Sequence, residues 1–417
     1  MTLTDPTPTT PATTAPTSAA LRAGSFFDDA QRLLPDLVRL RRSIHADPEV
    51  GLDLPRTQRR VLDALGGLGL EISTGIRTTS VIAVLRGGRP GPVVLLRGDM
   101  DALPVVEQTG LEFASTNGAM HACGHDLHTA ALVGAARLLA DRREELAGDV
   151  LFMFQPGEEG AGGAQVMLEE GLLDAAGQKP IAAYALHVGP GPRGLFATKP
   201  GAFMAGSSEL RVAVQGRGGH GSQPQAALDP VPVAAEIVLA LQTFATRRFN
   251  AFDPVVITVT QLNAGSEAIN VIPETATLAA TIRTISAASV EVMQAELPRL
   301  IGGIAEAHGC SATVEFEVHY PVAVNDPATT AGTVEVLREV FGDQRVIVAP
   351  TPAMSSEDFA YVLDEVPGSY VFLLASPAGL EASPEINHSP RVMFDDAVLA
   401  DAATALAQLA WSKLGTA

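Results

Sequence analysis

Between Met120 and Thr129 the chain carries a thiol, three imidazoles and a carboxylate: His121, Cys123, His125, Asp126 and His128. Cys123 and His125 stand two apart across Gly124. In an extended or tightly turned backbone, thiolate and imidazole can therefore point into one cavity, which is the spacing of metal ligands. The same groups could instead make a thiol hydrolase, with Cys123 as nucleophile and His125 or His128 as base. A Cys and a His so close in sequence rarely reach that geometry, and a glutamate pair further along would be left without a use.

That pair is Glu158-Glu159, set among glycines after the apolar run Asp149–Phe154. Consecutive side chains diverge, so one carboxylate can hold a metal while its neighbour faces a substrate as a base. Asp99 and Asp101 follow the apolar run Pro92–Leu96, His187 ends the run Ile181–Leu186, and His388 lies in the loop Ile386–Pro390. Cys123, His125, Glu159, His187 and His388 exceed what one tetrahedral ion needs beside a water. Two metals sharing a bridging ligand fit them better. Asp101 then serves to orient a ligand histidine and Glu158 to deprotonate water. His220, in the glycine-rich turn Gly216–Ser222, together with Asn270 and Arg283, completes the set of polar candidates. That turn lacks the Lys and Ser/Thr of a phosphate-binding loop.

These residues need elements to hold them. Short apolar runs bounded by Gly and Pro read as buried strands, and the helical patterns between them imply a layered α/β domain with a mostly parallel sheet. In such sheets ligands bind at the carboxyl ends of strands, where Asp101, Glu158, Glu159 and His187 would stand. From Glu209 to His319 the order changes to strand-helix-strand-strand-helix-strand, the ferredoxin-like α+β unit. Residues 205–317 are therefore expected as an inserted domain and residues 25–204 with 318–417 as the catalytic one. Residues 1–24, rich in Thr, Pro and Ala, read as a disordered tail without the basic start and apolar run of a signal peptide. Finer expectations are a first helix over Phe26–Ile44 interrupted by Pro35, basic runs at Arg39–Arg42 and Arg59-Arg60 that form solvated faces, and a helix N-cap at Ser355-Ser356-Glu357-Asp358.

Composition sets the wider bounds. With 417 residues, 47% hydrophobic and 18% charged, the chain is an ordinary globular protein of about two domains. A net charge of −19 argues against nucleic acid as a partner. No apolar stretch is long enough for a membrane helix. The two cysteines, Cys123 and Cys310, make no disulfide framework and fit a reducing cytoplasm.

Seven ordered segments, Arg97–Glu107, Met120–Thr129, Gly157–Gly163, Ala185–Val188, Gly216–Pro224, Ile269–Pro273 and Ile386–Pro390, resemble the co-catalytic metallopeptidase and aminoacylase superfamily. The resemblance extends over residues 27–415. Its nearest branch is that of hippurate hydrolase, N-acyl-amino-acid amidohydrolases and indole-acetyl-amino-acid hydrolases, which His45, Pro48 and Glu49 also match. It implies Cys123, His125, Glu159, His187 and His388 as ligands of two divalent ions, manganese, zinc or nickel, with Glu158 as general base and Asp101 as the orienting aspartate. It also implies that the insert is a lid and dimerisation domain, that His220 reaches the partner subunit's active site, and that Asn270 and Arg283 lie near the substrate's carboxylate or carbonyl. The expected activity is hydrolysis of small N-acyl-L-amino acids by a homodimer or homotetramer. Alternatives are a dipeptidase or carboxypeptidase, an N-acetyl-diaminopimelate deacetylase, and an inactive homologue acting as a binding dimer.

Overall fold

A computed structural model describes residues 26–415, so the tail expected over residues 1–24 lies outside the described residues. The centre of the molecule is a sheet of eight strands. Its middle consists of β1 (Arg89–Asp99), β2 (Ala147–Gln155), β3 (Ala182–Gly189) and β4 (Gly368–Leu374), arranged β2-β1-β3-β4 and all parallel. Antiparallel strands Val81–Leu85 and Glu71–Thr74 extend one edge, and Phe196–Thr198 and Val346–Val348 extend the other.

Alternation along β1 explains why the sheet needs cover on both faces. Val94 and Leu96 pack into one core, and Val93 and Leu95 into another on the opposite side. The first core takes in helices Phe27–His45, His125–Asp141, which is called α1 below, and Val398–Leu414. The second takes in the shorter helices Gly163–Glu169 and Ala360–Glu365. Both faces are therefore dry, which is why the central strands read as continuous apolar runs.

A second, antiparallel sheet has the order Val256–Ala264, Thr275–Thr284, Gly206–Gln215, Ser311–Tyr320. Helices Pro230–Arg247 and Ala287–Ala307 pack on it around a third core that includes Leu210, Ile237, Ile282 and Leu297. The helices and strands follow one another in the ferredoxin-like order. No described helix is long and apolar enough to cross a membrane.

Two local expectations are corrected. Helix Phe27–His45 is not interrupted at Pro35 but runs through it. Its buried stripe of Ala30, Leu37 and Ile44 docks on α1 and the C-terminal helix, and that packing outweighs the missing backbone donor. Arg41, expected on a solvated face, is 1% exposed and bound to the buried Asp126 and to Asp396.

The position of α1 depends on small residues. A Cβ at Gly134 would fall 2.8 Å from the Ala403 Cβ and 2.9 Å from the Leu37 Cδ1, so three helices meet there only because the side chain is absent. Gly134→Leu should destabilise the protein by roughly 1–3 kcal/mol through overpacking. The effect is read as a lowered urea midpoint; an unchanged midpoint contradicts the close helix contact.

Candidate active site

At the carboxyl ends of β1, β2 and β3 the chain delivers its ligand-type residues. Cys123 immediately precedes Gly124, which has φ of 82° and caps α1, and His125 is the first helical residue. A Cβ at Gly124 would lie 2.2 Å from the Val188 side chain, so glycine serves both the left-handed backbone and the close approach to β3. That approach sets the Cys123 Sγ 3.4 Å from the His187 Nε2. His187 lies within β3 rather than at its end, and its Nδ1 donates to the Val188 carbonyl at 2.7 Å. The Nε2 is thereby left as the nitrogen with a lone pair, facing the thiol. Burial holds the His187 imidazole well below its usual range, in the neutral form a metal ligand requires.

Asp101 joins the next two pieces. Its carboxylate oxygens accept from the backbone N–H groups of Glu158 and Glu159 at 3.0 Å each, and one of them lies 3.4 Å from the His125 Nδ1. One side chain thus holds the glutamate turn against a ligand histidine. Both ring nitrogens of His125 are buried and without a hydrogen bond. A buried imidazole in that condition costs free energy unless an ion or water completes it, and the thiol, imidazole and carboxylate donors around it suit a divalent ion.

His388 closes the site from a distant loop. It has φ of 73°, the only positive value among the described residues other than glycines, and its N–H donates to the Ala122 carbonyl at 2.9 Å. Its Nε2 lies 3.0 Å from Glu159. Side-chain hydrogen bonds with Cys123 and Glu159 push the His388 imidazole up to about 10. Among Cys123, His125, Glu159, His187 and His388 two triads result, Cys123-His125-His187 and Cys123-Glu159-His388, each with ligand atoms within 4.8 Å of one another, as Glu158 also has with His125 and Glu159. Cys123 belongs to both. The five ligands read from the sequence are therefore brought together, with the thiol between the two sets. Glu158 stands beside them, and burial, with Glu357, Glu159 and Asp358 nearby, raises its carboxyl well above the usual range.

His128, considered in the sequence as a base for a thiol nucleophile, has no free nitrogen. Its Nδ1 binds Asp99 at 2.5 Å and its Nε2 accepts the Val188 N–H at 2.8 Å, so it pins β3 to the end of β1.

Glu357 and Asp358 correct another expectation. The short helix begins only at Ala360, without a side-chain cap, and both acids are buried, Glu357 among the residues that line the site's cavity. Arg97 holds them: its guanidinium donates to Glu357 at 2.8 Å, Asp358 at 3.3 Å and Gln155 at 2.9 Å, and also to Asp99. The Tyr370 hydroxyl donates to the other Glu357 oxygen. A second buried network lies behind α1. The Arg41 Nε is 2.6 Å from Asp126, the residue after His125, and the His45 Nδ1 is 2.8 Å from the same oxygen. Burial opposes the Asp126 charge, but Arg41 and His45 hold its carboxyl well below the usual carboxylate range.

The site opens into a cavity of about 570 Å³ lined by Cys123, Glu158, Glu159, His187 and His388, by Arg283 and Tyr320, and by the apolar Met204, Phe372, Leu374 and Ile386. Arg283 is half-buried there and donates to Ser207 and Thr281 at 2.8 Å each. The Tyr320 hydroxyl donates to the Glu158 carbonyl and accepts from Gly160, which ties the second sheet to the glutamate turn. His220 and Asn270 do not line this cavity. Both are exposed, on and beside the two-stranded pairing of Gly219-His220 with Val271-Ile272.

Known proteins resemble this chain in sequence and in fold. The model of peptidase family M20/M25/M40 matches residues 95–412. The chain belongs to that family. Thermostable carboxypeptidase 1 of Saccharolobus solfataricus is 34% identical over 92% of this chain and 96% of its own length. IAA-amino acid hydrolase ILR1-like 5 of Arabidopsis thaliana is 36% identical over 90% of this chain and 86% of its own. The crystal structure of the Bacillus subtilis YXEP protein, a dinuclear metal-binding peptidase of the M20 family, superposes with a TM-score of 0.78 at 30% identity, covering 91% of this chain and 98% of that one. The protein is thus a metal-dependent hydrolase of amide or peptide bonds whose centre takes two divalent ions.

Arg97 tests the account of the site's foundations. Arg97→Leu leaves Asp99, Glu357 and Asp358 buried without their cation and should cost roughly 3–5 kcal/mol. Adding Glu357→Gln should recover part of the loss. Urea denaturation of the single and double variants measures both; a wild-type midpoint for Arg97→Leu contradicts the role given to the guanidinium.

Proposed function

We propose that this enzyme hydrolyses the amide bond of small N-acyl-L-amino acids, of the hippurate or N-acetyl-amino-acid type. The observation that carries the reading is a single cavity that combines the two cysteine-sharing triads, the buried Glu158, one half-buried cation at Arg283 and an apolar wall. A substrate with one carboxylate and one apolar acyl group matches that lining. The sequence similarity to a hydrolase of indole-acetyl-amino acids supports the same class. A peptide substrate is the second reading, favoured by the similarity to carboxypeptidases.

In the proposed mechanism, Cys123, His125, Glu159, His187 and His388 hold the two ions, manganese, zinc or nickel. Such ions supply Lewis acidity that acidifies water and polarises the amide carbonyl. Asp101 keeps the glutamate turn and His125 in register through the three contacts described above. Glu158 takes a proton from the attacking water and delivers it to the leaving amine, so the carboxylate ends the cycle as it began. Its buried setting favours holding a proton between those steps. Arg283 receives the substrate's carboxylate. The enzyme acts as a homodimer or homotetramer in the cytoplasm, with the second sheet and its helices as lid and dimerisation domain. The partner subunit's His220 donates to the carbonyl oxygen as it gains charge, and Asn270 stands beside it. The exposure of both residues, outside the cavity of their own chain, supports that assignment.

The test is hydrolysis of a panel of N-acetyl and N-benzoyl amino acids, N-acetyl-diaminopimelate and dipeptides, before and after chelation and on re-addition of manganese, zinc or nickel. Metal-dependent cleavage of the N-acyl amino acids in preference to dipeptides is expected. Preference for dipeptides favours the second reading, and activity indifferent to chelation rejects both. Glu158→Gln should retain both ions and lose turnover; loss of an ion would make Glu158 a ligand instead.

A further inference from the structure

We propose that Asn387 is a positioning residue of the two-ion centre, whose side-chain amide donates to the Cys123 sulfur and ties together three ligand-bearing segments. This inference rests on the reading of Cys123, His187 and His388 as metal ligands. The Asn387 Nδ2 lies 3.3 Å from the Cys123 Sγ and 3.2 Å from the Val188 carbonyl oxygen. That carbonyl also accepts the Nδ1 proton of His187, the hydrogen bond that turns the His187 Nε2 toward the thiol. The next residue is His388, whose own N–H is bound to the Ala122 carbonyl, one residue before Cys123. The Asn387 amide thus donates to the thiol and to the carbonyl that orients His187, from a loop 264 residues away from Cys123 in sequence.

The loop does not need Asn387 to close on itself. The Ser389 N–H donates to the Ile386 carbonyl at 3.0 Å, and Glu385 takes Arg391 and the Ser389 hydroxyl. What those contacts cannot do is set the loop's distance from the thiol. The left-handed backbone of His388 also persists only where its surroundings enforce it. The amide contact to Cys123 and the His388 N–H contact to Ala122 provide that enforcement from two sides. An N–H directed at a thiolate shared by two cations has a further effect: it withdraws electron density from the sulfur and so tempers its donation to both ions.

Cobalt(II) alone, titrated into the metal-free full-length protein, tests the proposal without reference to turnover. A thiolate bound to cobalt(II) gives a sulfur-to-metal charge-transfer band in the near ultraviolet. In Asn387→Ala the band should move to longer wavelength, because the sulfur becomes a stronger donor. Cobalt affinity should fall about 10- to 100-fold, the usual cost of removing a residue that supports a ligand. Asn387→Leu keeps roughly the side chain's shape but offers no N–H and no charge, and it should lose affinity as well, while circular dichroism of both variants stays that of the wild type. An unshifted band with wild-type affinity in Asn387→Ala, or wild-type affinity in Asn387→Leu, overturns the role of Asn387. Failure of the underlying reading looks different: the wild-type protein itself would then show no thiolate band.

Discussion

A buried thiol and several buried carboxylates gathered at one end of a sheet need partners for their charge, and that constraint organises the molecule. Below the site the cation is Arg97, which answers Asp99, Glu357 and Asp358 from the end of β1. Behind α1 it is Arg41, which answers Asp126 and Asp396. Around Cys123, His125, Glu159, His187 and His388 no Lys or Arg plays that part among the ion pairs of the described residues. Glu159 faces the His388 imidazole instead, and both buried nitrogens of His125 stay without a hydrogen bond. Removing one partner of such a network costs far more than the network adds as a whole, so the structural arginines are as much a condition of the site as its ligands.

The fold serves this arrangement through the parallel order of β2, β1, β3 and β4, which sets their carboxyl ends side by side. Asp101, Glu158 and Glu159 follow their strands by a short turn and His187 lies within β3, whereas Cys123, His125 and His388 reach the same edge on longer segments. Asp101 shows the economy of that geometry, since one carboxylate reaches the backbone of two glutamates and approaches His125. His128 and Thr129 fasten α1 to the last residue of β1, and Gly134 lets the same helix sit close to its neighbours.

Much of this was legible in the sequence, because ligand-type residues at the ends of continuous apolar runs are local signals. Glu158, Glu159 and His187 could be singled out that way, and Cys123 and His125 by their spacing across Gly124. The buried role of Glu357 and Asp358 could not. Two serines followed by two acids and an apolar run have the composition of a helix cap, and what decides otherwise is a guanidinium 260 residues earlier. Arg41 was hidden for the same reason: amphipathic spacing gives the face of a helix but not the charge waiting across the interface. Pro35 misled in the opposite direction, since tertiary packing outweighed a local breaker. Asn387 carried one readable signal, its place directly before a ligand histidine, but only the folded loop brings its amide to the Cys123 sulfur.

The central claim is that Cys123 belongs to both ion sites, and its most direct test is the number of ions bound per chain in Cys123→Ala, counted by native mass spectrometry beside the wild type. The account predicts two ions in the wild type and loss of tight binding at both positions in the variant. A variant that keeps one ion per chain at wild-type affinity would contradict it, because the thiol would then serve a single site.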